Sequence, residues 1–322
     1  MNIFEYLGLS ANHRKENKVT QLVKHWDEVV DKNKQGKNYI VQTKRDGVCS
    51  LTIILKGKVA MFSRTGKLFT NTSALVKRIV SLNLPDGVYM GELWVPKDVC
   101  SLEQLSGIVN PNRVNEVKDK TIPRHLRVSF FDLVSVQQFI SGVSYNPFRL
   151  RSAELRKLIG DATHQQPANG IDALKIHNVK TEKDIDRHLE YLVYYGEEGL
   201  VIRDLDANWE AGHKGWRSMK KVRHVDYDLK CIGWEEGTGK FKNKVANLIF
   251  EWKAGNTIKA MLGRGWTHEM AEKMFMGIQH MDVNPVGKIF QVYGLEESSK
   301  GKLRLPKVGE KRFDKDTPDV QF

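Results

Sequence analysis

The 322-residue chain has only three cysteines, Cys49, Cys100 and Cys231, far apart and none in a Cys-x-x-Cys pair. That argues against a zinc site or a disulfide framework and fits a reducing compartment. Long apolar runs are missing as well. Stretches such as Leu51–Leu55 fall far short of the roughly 20 residues that a membrane-crossing helix needs, so no membrane role is expected. The opening residues, Met1 to Tyr6, carry no basic segment followed by an apolar one, and no secretory signal is read there. Internal repeats and low-complexity tracts are absent. The expected location is the cytoplasm.

What the chain has in excess is positive charge. Lysine and arginine number 51 against 39 acidic residues, a net charge of +12. A basic balance suits a polyphosphate partner, although a solvated basic surface gives the same total. The length suits two domains at ~150 residues each.

Residues 1–38 are polar and Lys-rich, with apolar residues at helical spacing over Val19–Val30 that predict one helix. Strands follow. Tyr39–Thr43 is apolar and β-branched. Leu51–Leu55 and Lys58–Phe62 flank Lys56-Gly57, a hairpin signal. Val88–Val95, Arg127–Val134 and Leu200–Arg203 read as strands, and Thr72–Leu82 and Leu150–Ile159 as helices. Thr181 with Asp184 three residues on marks a further helix start. The texture changes near Val225–Asp228. Beyond it come Leu229–Trp234, Ala246–Trp252, Thr257–Met261 and Lys288–Tyr293, short strands interrupted by a helix over Thr267–Met276. Four strands and one helix suggest a small OB-type barrel, a fold that has five strands. The expected class is therefore α+β, with antiparallel sheets and flanking helices over residues 1–227 and an OB-fold barrel over 228–322.

Four clusters could carry chemistry. Lys44-Arg45-Asp46-Gly47 directly follows a strand. A lysine held in a cleft there can serve as a nucleophile, though such a tetrapeptide in a Lys-rich chain is more often a surface turn. Glu92 lies inside an apolar strand, where a carboxylate costs energy unless it is paired or bound to a ligand. The plainer reading is a glutamate on the solvent face. Glu197 and Glu198 precede a buried strand and could hold a divalent cation, or merely end a helix in water. Trp216-Arg217-Ser218-Met219-Lys220-Lys221 could clamp phosphate, or form a basic surface strand. Phe130 and Phe131 point to opposite faces of their strand, so one is core and the other is free to stack; Phe131 is the expected stacker. Gly237-Thr238-Gly239-Lys240 is not a P-loop. Trp234 stands where that motif needs glycine, and Phe241 where it needs serine or threonine.

Each signal is modest, but their order and spacing over most of the chain from residue 38 are specific. The chain resembles the covalent nucleotidyltransferases, the superfamily of DNA ligases, RNA ligases and capping enzymes, and is most similar to the small ATP-dependent DNA ligases of bacteriophages. That resemblance implies a role for each matching residue. Lys44 would be the nucleotidyl lysine, with Thr43 and Asp46 on either side as a nucleotide contact and a catalytic acid. Arg64 would lie near sugar and phosphates, Glu92 on the ribose and Phe131 on the adenine. Glu198 would bind the metal, and Lys220 would grip the α-phosphate as a catalytic cation. Arg312 and Lys315, in Arg312-Phe313-Asp314-Lys315, would orient the pyrophosphate. ATP and Mg2+ are the implied cofactors. Nicked double-stranded DNA is the implied partner of a monomer, working in the host cytoplasm if the source is viral. Two positions depart from the family pattern: Cys49 stands where an arginine is usual, and Ser218 replaces the first lysine of K-x-K, with Arg217 and Lys221 the nearby cations. An RNA ligase of the same superfamily and a catalytically decayed duplex-binding protein are the competing readings.

Overall fold

The computed structural model describes residues 1–110, 121–160, 169–263, 265–280, 284–295, 297 and 301–319. The chain divides into two compact units, Met1–Val222 and Arg223–Phe322. Within the first unit the strands are β1 Leu22–His25, β2 Tyr39–Lys44, β3 Val48–Leu55, β4 Lys58–Ser63, β5 Gly87–Trp94 and β6 Arg127–Val134. They continue with β7 Val143–Ser144, β8 Ile171–Ala173, β9 His177–Asn178, β10 Gly199–Asp204, β11 Trp209–Glu210 and β12 Lys214–Val222.

Two five-stranded sheets result, ordered β1-β12-β10-β2-β9 and β4-β3-β5-β6-β8, with β11 and β7 paired apart from them. Most pairings are antiparallel, but each sheet has one parallel edge, β1 on β12 and β8 on β6. The β3–β4 turn follows from its residues. Lys56 and Gly57 both take positive φ, 50° and 72°, as a two-residue turn of matching twist requires. Helices Ser73–Val80, Leu102–Val109 and Phe148–Ile159 contribute Leu75, Ile79, Leu105, Ile108 and Leu155 to a core shared with Tyr89, Leu93 and Phe130 of the second sheet. Helix Glu182–Tyr194 packs Ile185 against Val41, Leu200, Ile202 and Met219 of the first sheet. Its start is capped as expected: the Thr181 hydroxyl accepts from the Asp184 N–H at 3.2 Å, and the Asp184 carboxylate accepts from the Thr181 N–H at 3.0 Å.

The expected helix over Val19–Val30 is not there. Leu22–His25 is a strand and Trp26–Glu28 a single 3-10 turn. The apolar spacing has another cause: Trp26 and Val29 are buried in the first sheet's core, whereas Val30 is exposed. Strand β12 also offers an unpaired edge, which this segment satisfies in parallel, Lys24 opposite Met219 and His25 opposite Lys220.

The second unit holds β13 Val225–Glu236, β14 Val245–Trp252, β15 Asn256–Leu262, β16 Ile289–Gly294 and β17 Lys307–Lys311. They close into a barrel in the order β13-β14-β15-β17-β16. The fifth strand missing from the sequence reading is β17, which pairs in parallel with β15 and antiparallel with β16. Helix His268–Gln279, N-capped by Thr267, lies between β15 and β16 in sequence, with Met274, Phe275 and Ile278 against the barrel core.

Candidate active site

A cavity of about 590 Å3 opens in the first unit. Lys44 reaches it from the end of β2. Thr43, Arg64, Glu92, Phe131 and Lys220 line it too, from five different stretches of chain. The pleat explains the choice between the two phenylalanines: Phe130 is fully buried in the second sheet's core, and Phe131 turns to the cavity. Glu198 and Asp46 are not among the lining side chains, but the Glu198 carboxylate accepts from the Lys44 ammonium in a close ion pair.

Gly47 is needed for a reason other than a tight turn. A Cβ there would stand 2.5 Å from the Leu93 carbonyl oxygen and 2.7 Å from the Glu92 side chain. The loop after Lys44 thus passes directly over β5, which brings the lysine and Glu92 to one place. Gly47→Ala is expected to destabilise the protein by about 1–3 kcal/mol, the usual cost of overpacking, readable as a shifted urea midpoint.

Charge is concentrated around Glu92. Burial pushes its carboxyl up to about 8, with Glu198 and Asp46 raising it and Lys44 and Arg64 opposing. Burial, then the charge of Lys44, lowers Lys220. Cys49, opposite Glu92 in the β3–β5 register, is pushed up to about 12 by burial and by that glutamate, so it stays a neutral thiol. The linkage for Glu92 has a definite sign. Its carboxyl binds a proton more tightly folded than unfolded, so the stability it contributes is full below its ordinary value of 4.5 and is lost as pH rises to about 8. Over that window the Glu92→Gln variant is expected to gain stability relative to wild type, checked by urea unfolding at pH 5, 6.5 and 8.

Residues beyond the sequence motifs also line the cavity. Arg203, held down to about 10 by burial, donates from Nε to the Gln42 side chain at 2.9 Å. Its guanidinium sits 4.8 Å from the Phe131 ring centroid. Lys214, Trp209 and Thr20 contribute as well, together with Glu16, Asn17 and Gln21 from the segment before β1. Nothing in the local sequence marked these; Arg203 arrives on β10 between β2 and β12, and Lys214 and the residues before β1 through the pairing of β1 with β12. Ser218 lines the cavity, whereas the two cations beside it are engaged elsewhere, Arg217 with Glu210 and Lys221 with Asp186 and Glu182. Arg312 and Lys315 belong to the second unit. Arg312 bonds Asp228 and Asp314, each at 2.8 Å, and Lys315 pairs with Asp228 and, at 3.1 Å, with Asp319. Among the described residues no group of three or more His, Cys, Asp or Glu side chains is placed to hold a metal ion.

Comparison with known proteins accounts for both units. A family model described as ATP dependent DNA ligase domain matches residues 18–222, and one described as DNA ligase OB-like domain matches residues 236–312. A probable DNA ligase of Streptomyces coelicolor is 27% identical over 137 residues, which are 42% of this chain and 25% of that protein. The match thus spans about a quarter of that relative's length. A solved structure named Pmar-Lig_Pre. superposes with a TM-score of 0.73 at 25% identity, covering 92% of this chain and 68% of that one. The ATP-dependent DNA ligase of bacteriophage T7, in complex with ATP, shares the fold with a TM-score of 0.52 at 18% identity, over 92% of this chain and 99% of that one.

Proposed function

The chain belongs to the ATP-dependent DNA ligase family, and from that premise we propose that it seals 3′-hydroxyl/5′-phosphate nicks in duplex DNA through a lysine-AMP formed on Lys44. The observation that carries this reading is the placement of Lys44 at a single cavity with Arg64, Glu92, Phe131 and Lys220, while it is paired to Glu198.

The Lys44 amine, having shed a proton, attacks the α-phosphorus of ATP. A nitrogen–phosphorus bond forms as the bond to pyrophosphate breaks. The AMP then passes to the 5′-phosphate at the nick, and the 3′-hydroxyl attacks that phosphate and releases AMP. All three steps are phosphoryl transfers, so the protein's part is positioning and charge stabilisation. Phe131 gives the adenine a flat apolar partner, with Arg203 behind the ring. Glu92 receives the ribose. Arg64 and Lys220 supply fixed positive charge to the phosphates, and Thr43 and Asp46 frame the lysine. Arg312 and Lys315 would exchange their carboxylate partners for the pyrophosphate.

The residues present fit a divalent cation held mainly by substrate. Glu198 loses a charged partner once Lys44 becomes a neutral phosphoramidate, and one carboxylate plus phosphate oxygens is a donor set that suits Mg2+. When bound there, Mg2+ would neutralise phosphate charge. The barrel unit would lie along the duplex through backbone contacts, with little reading of base sequence, and the whole chain's net charge of +12 favours a polyphosphate partner. Among the described residues no helix is long and apolar enough to cross a membrane. The reading is of a monomer acting on DNA in the cytoplasm.

Incubation with α-labelled ATP and magnesium should give acid-labile label on the protein. Adding nicked duplex should discharge the label and yield a closed strand. Label that discharges only onto single-stranded RNA would favour an RNA ligase, and a duplex-binding protein that takes no label would end the proposal.

A further inference from the structure

Strands β2 and β10 run antiparallel, with Lys44 opposite Gly199 at the end of their pairing. Beyond that rung, two side-chain bonds join the same two chain segments, Lys44 to Glu198 and Arg45 to Glu197. We infer that the Arg45–Glu197 ion pair is a clasp that keeps Glu198 in place when Lys44 lets go of it, which makes Arg45 a positioning residue for lysine adenylylation. The inference rests on Lys44 being the nucleophile.

The need for a clasp follows from the reaction. A lysine nitrogen bonded to phosphorus has lost its positive charge, so the Lys44–Glu198 attraction ends as the product forms. Backbone pairing cannot take over, because β10 begins only at Gly199. That residue must be glycine, since a Cβ would lie 2.4 Å from the Lys221 carbonyl oxygen, and its φ of 153° is one that few side chains permit. The segment carrying Glu197 and Glu198 therefore enters the strand through its most permissive residue.

Arg45 is built to hold that segment. Its guanidinium lies 4.8 Å from the Trp94 ring centroid, and the Trp94 indole N–H donates to the Ser129 hydroxyl at 2.9 Å on β6. Trp94 is buried, so the clasp, although Arg45 follows Lys44 directly and lines the same cavity, is also tied into the second sheet. Lys97 supports the same turn by donating to the Gly196 carbonyl at 2.5 Å. An arginine suits the post because its planar cation can stack on a ring while it pairs with a carboxylate.

The test is single-turnover labelling of the full chain by α-labelled ATP, with wild type, Arg45→Met, Arg45→Lys, Glu197→Gln and the Arg45→Met/Glu197→Gln double variant. Arg45→Met should slow the first-order labelling rate about ten- to a hundredfold, the usual cost of a small misplacement, with apparent ATP affinity within about twofold of wild type. Arg45→Lys, which keeps the charge but not the planar stack on Trp94, should recover only part of the rate. The double variant should be no slower than the slower single, because both remove one bond. Thermal melts of each variant show whether it is folded. Wild-type labelling by Arg45→Met, a loss explained by weaker ATP binding alone, no recovery by Arg45→Lys, or losses that multiply in the double variant would each overturn the clasp. A wild type that takes no label would overturn the nucleophile reading, and the clasp with it.

Discussion

Lys44→Arg is expected to abolish protein labelling by α-labelled ATP, a loss of at least about a thousandfold, while the protein stays folded. Arginine keeps a cation beside Glu198 and so preserves the ion pair seen there. What it cannot do is give up its proton near neutral pH, where a guanidinium stays charged. The variant thus separates the lysine's two roles, partner and nucleophile, which Lys44→Ala removes together. Labelling measured with a matched thermal melt decides the matter. Residual labelling above about a thousandth of wild type would mean that another nucleophile carries the AMP.

Asp132→Ala should have the largest effect on stability, a loss of about 3–5 kcal/mol, the range found when one member of a buried ion pair is removed. The Asp132 carboxylate receives two bonds from Arg151, at 2.8 and 3.0 Å, with Arg203 a further 4.0 Å away, and all three side chains are buried. Removing the single acid leaves two guanidinium groups out of water with no carboxylate between them. For a unit of about 220 residues such a loss lowers Tm by on the order of 10 °C. The double variant Asp132→Ala/Arg151→Met should be less damaged than the sum of its singles, since one uncompensated charge goes with the second change. A melt within about 1 kcal/mol of wild type would show that water reaches these arginines.

Elements with a strong local pattern were legible in the sequence. The apolar strands over Arg127–Val134 and Gly87–Trp94, the turn at Lys56-Gly57 and the capped helix after Thr181 all carry their cause within a few residues. Helices Leu102–Val109 and Val136–Ser141 escaped the reading although Ser101 with Gln104 and Ser135 with Gln138 form capping boxes, a signal that was there to use. Several strands were not legible, among them the short Val143–Ser144, Ile171–Ala173, His177–Asn178 and Trp209–Glu210, and two have a physical reason of their own. Leu22–His25 looks helical because burial against a distant sheet sets its spacing. Lys307–Lys311 has one buried aliphatic residue, Val308, among charges and a glycine, too few for alternation to show. In the cavity, the motif residues Lys44, Glu92 and Lys220 could be picked from order and spacing. Arg203, Trp209 and the residues before β1 could not, because only tertiary pairing brings them there.

The seam formed by β17 carries a liability of its own. Just before it, Leu305 is exposed and holds a left-handed backbone, φ 49°, the kind of exposed tip that proteases find. A cut there would leave β17 on short ladders, two parallel rungs to β15 and three antiparallel rungs to β16, helped by the Trp266 indole N–H on the Gly309 carbonyl and by the Arg312 and Lys315 pairs with Asp228. Once it peels away, the flanking strands would present bare amide and carbonyl rows, templates for pairing between molecules. Limited proteolysis should therefore turn a dispersed preparation into one that self-associates, visible as growing light scattering before any loss of the first unit's fold.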